Sequence, residues 1–256
     1  MRMAEDGERL GQVARVARLA AQLMLGNGGE TYRAEETARH ICRAFGYESE
    51  AIAFPTGIML SVAGEKSLIG RVPRRQVDFS KIDRVNAISR ELASGARGLD
   101  EAEAELTALA ARPPMHWAWQ SLIAAGSSSM FALTFGGAPF DLAAAGASAF
   151  LAQTVAGQLR DEAGLPLISL LGGCLTALMA LIMTSVFHMG DVSRIIISGL
   201  MPLLPGLAFT NAIRDAMRGD LVSGMARAGE ALIRAVVLAA GAGLSISAWM
   251  LLRFGG

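Results

Sequence analysis

Ile195-Ile196-Ile197-Ser198-Gly199-Leu200-Met201-Pro202-Leu203-Leu204-Pro205-Gly206-Leu207-Ala208-Phe209-Thr210 is apolar enough for a bilayer, yet it is broken in its middle. A proline inside a helix removes a backbone donor and clashes with the preceding turn. In hydrocarbon the freed carbonyls have no water to turn to. Such a break persists only where protein or a water-filled cavity satisfies it. Broken helices at membrane depth are where transporters tend to hold substrates and ions. Pro202, Pro205 and Gly206 are therefore candidate pathway residues, placed to expose backbone groups to a substrate. The segment runs on into Asn211-Ala212-Ile213-Arg214-Asp215. Asn211 stands one helical turn before Asp215, so the two share a face. An amide and a carboxylate on that face suit an ammonium or a proton relay, and Arg214 suits a substrate carboxylate. The competing reading of Arg214 and Asp215 is a pair of interfacial residues that reach into water.

Outward from this stretch, charge divides the chain. The 256 residues are 52% hydrophobic, with a mean hydropathy of +0.41. Residues 1–113 hold 16 Lys and Arg and 16 Asp and Glu, whereas the remaining 143 residues hold 7 and 7. This predicts a cytoplasmic α+β domain over 1–113 and a transmembrane helical domain over 114–256. Zero net charge in each part removes the basic surface that nucleic acid requires. The N-terminus is polar, without the apolar stretch of a signal peptide. Cys42 and Cys174 lack metal-ligand spacing, so neither a disulfide framework nor a zinc site is expected, and no cofactor is implied.

In residues 1–113, Leu10, Val13, Val16, Ala17, Ala20, Leu23 and Met24 recur at helical spacing and predict a helix from about Glu8 to Leu25. Gly26-Asn27-Gly28-Gly29 ends it, and residues 30–45 read as a second helix stopped by Gly46. The short apolar runs 50–54, 57–62 and 67–72, bounded by turn residues, predict a small antiparallel sheet. Phe79-Ser80 opens a third helix, with Ser80 and Asp83 resembling a capping box. Asp100, Glu101 and Glu103 suit the first turn of a fourth. A Gly-rich turn before a helix can present N–H groups to an anion. Glu30 would compete with that anion, which favours a plain helix-to-helix turn with a charged, solvated face. His40 is a candidate general base, with no Ser or Cys nucleophile beside it by helical spacing.

In residues 114–256, the stretches 117–135, 142–159, 166–187, the broken 195–213 and 231–252 predict about five spans, with Trp117, Trp119 and Trp249 near interfaces. Residues 214–230 are polar and helical in period. Small residues in 143–149 allow close helix packing. Arg160, Arg214, Arg218 and Arg227, with Arg234 close by, favour the cytoplasmic side and place residues 1–113 there as well, leaving Arg194 and Arg253 as exceptions. Ser127, Ser128, Ser129, Thr134, Gln153 and Thr154 either line a hydrophilic path or hydrogen-bond between helices, the commoner use of such residues.

Four stretches together resemble the threonine/serine exporter family: Gly28-Gly-Glu-Thr-Tyr-Arg-Ala-Glu35, Tyr47 through Val62 with Phe54-Pro-Thr-Gly57, Pro202-Leu-Leu-Pro-Gly206, and Asn211-Ala-Ile-Arg-Asp215 followed by Gly219-Asp220. The resemblance implies proton-motive-force-driven export of small polar metabolites from a bacterial inner membrane, with the N-terminus cytoplasmic. It implies threonine and serine for the fused form, and C4 dicarboxylates such as succinate for a split form. In the split form a smaller membrane subunit supplies a second set of spans, making a hetero-oligomer in the lipid bilayer. On the matching motif positions, Gly28, Glu30, Thr31, Arg33, Glu35 and Thr56 are expected to form a cytoplasmic gate or docking face. The rival expectations are a membrane-anchored hydrolase-like enzyme with its site in residues 1–113, and a regulatory membrane subunit.

Overall fold

The computed structural model describes residues 2–63, 66–73, 75–159 and 164–254. Arg160, used above for orientation, and the turn residues Gly64 and Glu65 lie outside the described residues. The chain divides into two compact units. The first is Met1–Pro114 with Leu207–Gly229, and the second is Met115–Gly206 with Glu230–Gly256.

The first unit is built on α1 (Arg2–Gly26). Val13, Ala14, Val16, Ala17, Ala20, Ala21 and Met24 repeat every third or fourth position and are buried, the stripe an amphipathic helix turns to a core. The stripe meets α2 (Thr31–Ala44), α3 (Phe79–Ala93), α4 (Leu99–Ala111) and one sheet. That sheet is an antiparallel meander of β1 (Ser49–Phe54), β2 (Gly57–Val62) and β3 (Lys66–Arg71), in that order. Ala51, Ala53, Ile58, Leu60 and Val62 face the core, and the alternate positions Ile52 and Met59, a cross-strand pair, face out. Asp78, rather than Ser80, caps α3, because its carboxylate accepts the N–H groups of Ser80 and Lys81. The Ser80 hydroxyl and those N–H groups hold the Asp78 carboxyl below the usual carboxylate value. The unit also contains α9 (Gly206–Met217), apart from its first residue, and the opening turns of α10 (Leu221–Phe254).

The second unit holds α5 (Trp117–Thr134), α6 (Pro139–Gln158), α7 (Leu165–Phe187), α8 (Val192–Leu200) and the rest of α10. Its centre is alanine: Ala132, Ala144, Ala145, Ala177 and Ala180 are fully buried. Ser128 donates to the carbonyls of Ala145 and Ser198, and Ser129 to that of Leu142. Thr154 donates to Ser121. These hydroxyls tie helices together. The backbones of α7 and α10 meet at Gly173 and Gly241, where an added side-chain carbon would collide with the opposing carbonyls of Leu238 and Leu170. Buried Asp141 accepts the N–H groups of Ala138 and Asp191, joining the start of α6 to the loop before α8.

An α+β domain followed by about five spans is not what the structure shows. The described residues are 75% helical and form ten α-helices and one three-stranded sheet. Two described helices are long and apolar enough to cross a membrane, Pro166–Phe187 and Leu221–Arg253, or three if the bent pair Val192–Leu203 and Gly206–Met217 is one span. The reason lies in composition. Gln120, Ser121 and Ser127–Ser129 dilute α5, and α6 is rich in alanine and glycine with Asp141 in its first turn. The sequence predicts the polar stretch 214–230 and the stretch 231–252 as separate elements. From Leu221 onward they are one helix of 34 residues.

The sheet register is testable on adjacent residues. Ile58→Ala should lower stability by about 2–5 kcal/mol, whereas Met59→Ala, on the open face, should change it by no more than about 0.5 kcal/mol. Thermal unfolding of the detergent-solubilised chain measures both, and equal losses would contradict the register.

Candidate functional site

The site begins where α1 stops. Gly28 has φ +98°, a left-handed value, and the Gly29 N–H returns to the Met24 carbonyl at 2.9 Å. A Cβ on Gly29 would lie 2.7 Å from that same carbonyl oxygen. The turn therefore needs glycine twice, once for dihedral and once for space. Glu30 follows as the N-cap of α2, extended and without a side-chain cap bond, so the first N–H groups of α2 need a partner from elsewhere.

That partner comes from α9. Asp215 Oδ1 accepts the Thr31 N–H at 3.3 Å, a carboxylate placed at the positive end of a helix. One turn earlier on the same face, Asn211 donates to the Gly28 carbonyl at 2.9 Å. After α9, Asp220 accepts the Ser223 N–H at 3.1 Å, opening α10, and accepts the Thr31 hydroxyl at 2.8 Å. Two turns into α10, Arg227 donates to the Gly29 carbonyl at 2.9 Å, and its Nε lies 3.1 Å from Asp215 Oδ2. Arg214 pairs with Glu30 at 2.8 Å, and Arg33 approaches the same carboxylate at 3.9 Å. The Arg218 guanidinium lies 4.6 Å from the Tyr32 ring centroid, a cation–π contact.

The centre of this cluster is dry. Asp215, Thr31 and Ser223 are 0% exposed, Asn211 is 2%, and Glu30 and Arg227 are 6%. Around it, Phe209, Ile213, Met217, Leu221, Val222 and Met225 are exposed. The α9–α10 hairpin thus turns Asn211, Asp215, Ser223 and Arg227 inward, and its outer face carries these large apolar side chains beside the exposed Arg214 and Arg218. Water favours the opposite arrangement, and an apolar surrounding favours this one. Burial pushes the Asp220 carboxyl up. Hydrogen bonds from Ser223 and Thr31, with the charge of Arg227, outweigh it and hold the group below the usual carboxylate value.

The structure brings Asn211, Arg214 and Asp215 together with Gly28, Glu30 and Thr31. Arg33 lies at the rim. Glu35 faces the sheet, accepting the Ala53 N–H at 2.9 Å. Thr56 sits in the β1–β2 hairpin, where its carbonyl accepts the Val72 N–H, and does not join the cluster. Pro202 lies in a short 3-10 turn (Met201–Leu203), and Pro202, Pro205 and Gly206 belong to the second unit. Arg227 and Ser223 escaped the sequence reading as site residues. Their signal was available: Asp220, Ser223 and Arg227 follow at helical spacing through a run otherwise rich in Leu, Val, Met and Ala. Ser89 was also missed. Its hydroxyl lies 3.0 Å from His40 Nδ1, brought there by the packing of α2 on α3.

The family model described as "Putative threonine/serine exporter" matches residues 15–249. A probable threonine/serine exporter of Mycobacterium tuberculosis (strain ATCC 25618 / H37Rv) is 23% identical over 221 residues, covering 83% of this chain. The chain spans 41% of that relative's length. No solved structure matches.

Removing one half of a buried pair leaves the other charge uncompensated. Arg227→Met should therefore cost about 3–5 kcal/mol, whereas Arg214→Ala should cost less, about 1 kcal/mol, because Arg214 is itself exposed and Arg33 remains near the Glu30 carboxylate. Comparable melting shifts for the two variants would mean that Asp215 is not buried as described. Asp220 has a depressed folded-state value. Its contribution to stability is complete above the unfolded value of about 4 and is lost as pH falls through the folded one. Melting between about pH 6 and 3 should accordingly fall less steeply for Asp220→Asn than for wild type.

Proposed function

We propose, for a chain that belongs to the putative threonine/serine exporter family, the export of small amino acids of the threonine and serine type. The reading places the chain in a bacterial inner membrane with residues 1–113 on the cytoplasmic side. The proton motive force drives export, and a smaller membrane subunit supplies a second set of spans.

The observation that carries this reading is the α9–α10 hairpin, which buries the Asp215–Arg227 pair behind a largely apolar outer face that also bears Arg214 and Arg218. Charged groups kept dry by apolar helices mark substrate or proton pathways. Arg227 lies near the start of a helix of spanning length. The chemistry favours an amino acid over a dicarboxylate. The two most buried charges of the cluster, Asp215 and Arg227, are of opposite sign, and a dianion would match only one of them. A zwitterion brings one charge of each sign. The name of the mycobacterial relative agrees with that choice. A hydrolytic role for residues 1–113 would rest on His40 and Ser89. Ser89 is 5% exposed, and its bond to His40 ties two helices.

Membrane vesicles holding the full chain and its partner subunit, loaded with labelled threonine or serine, test the reading. Efflux should exceed that of vesicles lacking this chain and should collapse with a protonophore. Asp215→Asn should slow it at least about tenfold. Efflux indistinguishable from vesicles lacking the chain would sink the proposal.

A further inference from the structure

The Asp215–Arg227 pair has the same charge layout as the backbone of a free amino acid. We propose that it is an exchangeable pair: when the cluster opens, a zwitterionic β-hydroxy α-amino acid replaces each internal partner in turn. Its α-ammonium takes Asp215, its α-carboxylate takes the Arg227 guanidinium, and its hydroxyl takes Asp220. The inference rests on the export reading and names the ligand groups for that same site.

Three features carry it. First, Asp215 and Arg227 lie on different helices, α9 and α10, with Nε and Oδ2 3.1 Å apart and both side chains buried. An ammonium and a carboxylate inserted between them would compensate each charge, and the cluster would keep its net charge. A ligand with a single charge would leave one side uncompensated. Second, Asp215 Oδ2 is fully buried and accepts no hydrogen bond among the described residues, although it faces the guanidinium. A buried carboxylate oxygen with unused acceptor capacity suits the three donors of an ammonium. Third, Asp220 already binds a threonine hydroxyl, that of Thr31, at 2.8 Å. In the closed cluster the chain's own threonine holds the place of the ligand's. Arg227 suits the carboxylate because its planar fork can engage both oxygens at once.

The test pairs each residue with the ligand group assigned to it. Vesicles containing the full chain and the partner subunit carry labelled threonine, and four unlabelled compounds compete. They are threonine, its amino alcohol lacking the carboxylate, 3-hydroxybutyrate lacking the ammonium, and 2-aminobutyrate lacking the hydroxyl. Wild type should prefer threonine to each analogue by at least about tenfold. Arg227→Gln should lose the preference over the amino alcohol alone, Asp215→Asn the preference over 3-hydroxybutyrate alone, and Asp220→Asn that over 2-aminobutyrate alone. Where Arg227→Gln does not fold, Arg227→Lys keeps the charge without the fork and should narrow the same preference. A variant that weakens all four competitors by one factor would overturn the assignment for that residue while leaving export intact. Wild-type vesicles that move no threonine would instead overturn the export reading itself.

Discussion

A carboxylate and a guanidinium removed from water must find each other or be neutralised. Much of the first unit follows from how Asp215 and Arg227 meet this demand. Arg227 reaches Asp215 only if α10 starts close behind α9, and Asp220 sets that start by taking the Ser223 N–H. Asp215 in turn needs a second donor, and the uncapped start of α2 supplies one at Thr31. That start is available because Gly28 and Gly29 turn the chain without side chains in the way. A sequence separation of 184 residues is thus closed by a few mutually dependent bonds.

Stability and specificity have different sources here. The apolar core of the first unit, with Val13, Ile41, Ile58, Leu60, Ile88 and Leu106 buried, supplies the non-directional driving force of folding. A buried ion pair contributes little net stability against a well-packed apolar alternative, because desolvation consumes most of the attraction. What it imposes is geometry: the observed position of α9 and α10 against the 28–31 turn pairs Asp215 with Arg227 and Glu30 with Arg214.

The sequence revealed elements better than partnerships. The short apolar run 57–62 between turn residues and the helical stripe of α1 are local signals, and the structure has a strand and a helix there. Helices α5 and α6 show where composition misled. Serine, alanine and glycine read as tolerable in a span, but they lower hydropathy below what a lone spanning helix requires. Asn211 and Asp215 were identifiable as sharing a face because spacing on one helix is a local property. That they face Gly28 and Thr31 is not local, and neither periodicity nor charge count carries it. Arg227 enters the orientation argument as one positive charge among several, although its spacing from Asp220 and Ser223 marks a polar stripe.

The exposed apolar side chains of the hairpin give the buried charges their meaning. Had Ile213, Met217, Val222 and Met225 been polar, Asp215 and Arg227 would be a pair near water, and opening it would cost little. With apolar side chains outside, water offers the open cluster little compensation, and each exposed charge must be met by a group of opposite sign. A joint of this kind opens readily only when a molecule brings both signs together. The apolar exterior therefore does more than seat the hairpin in an apolar surrounding: it makes the opening of the polar interior depend on the charge pattern of what enters.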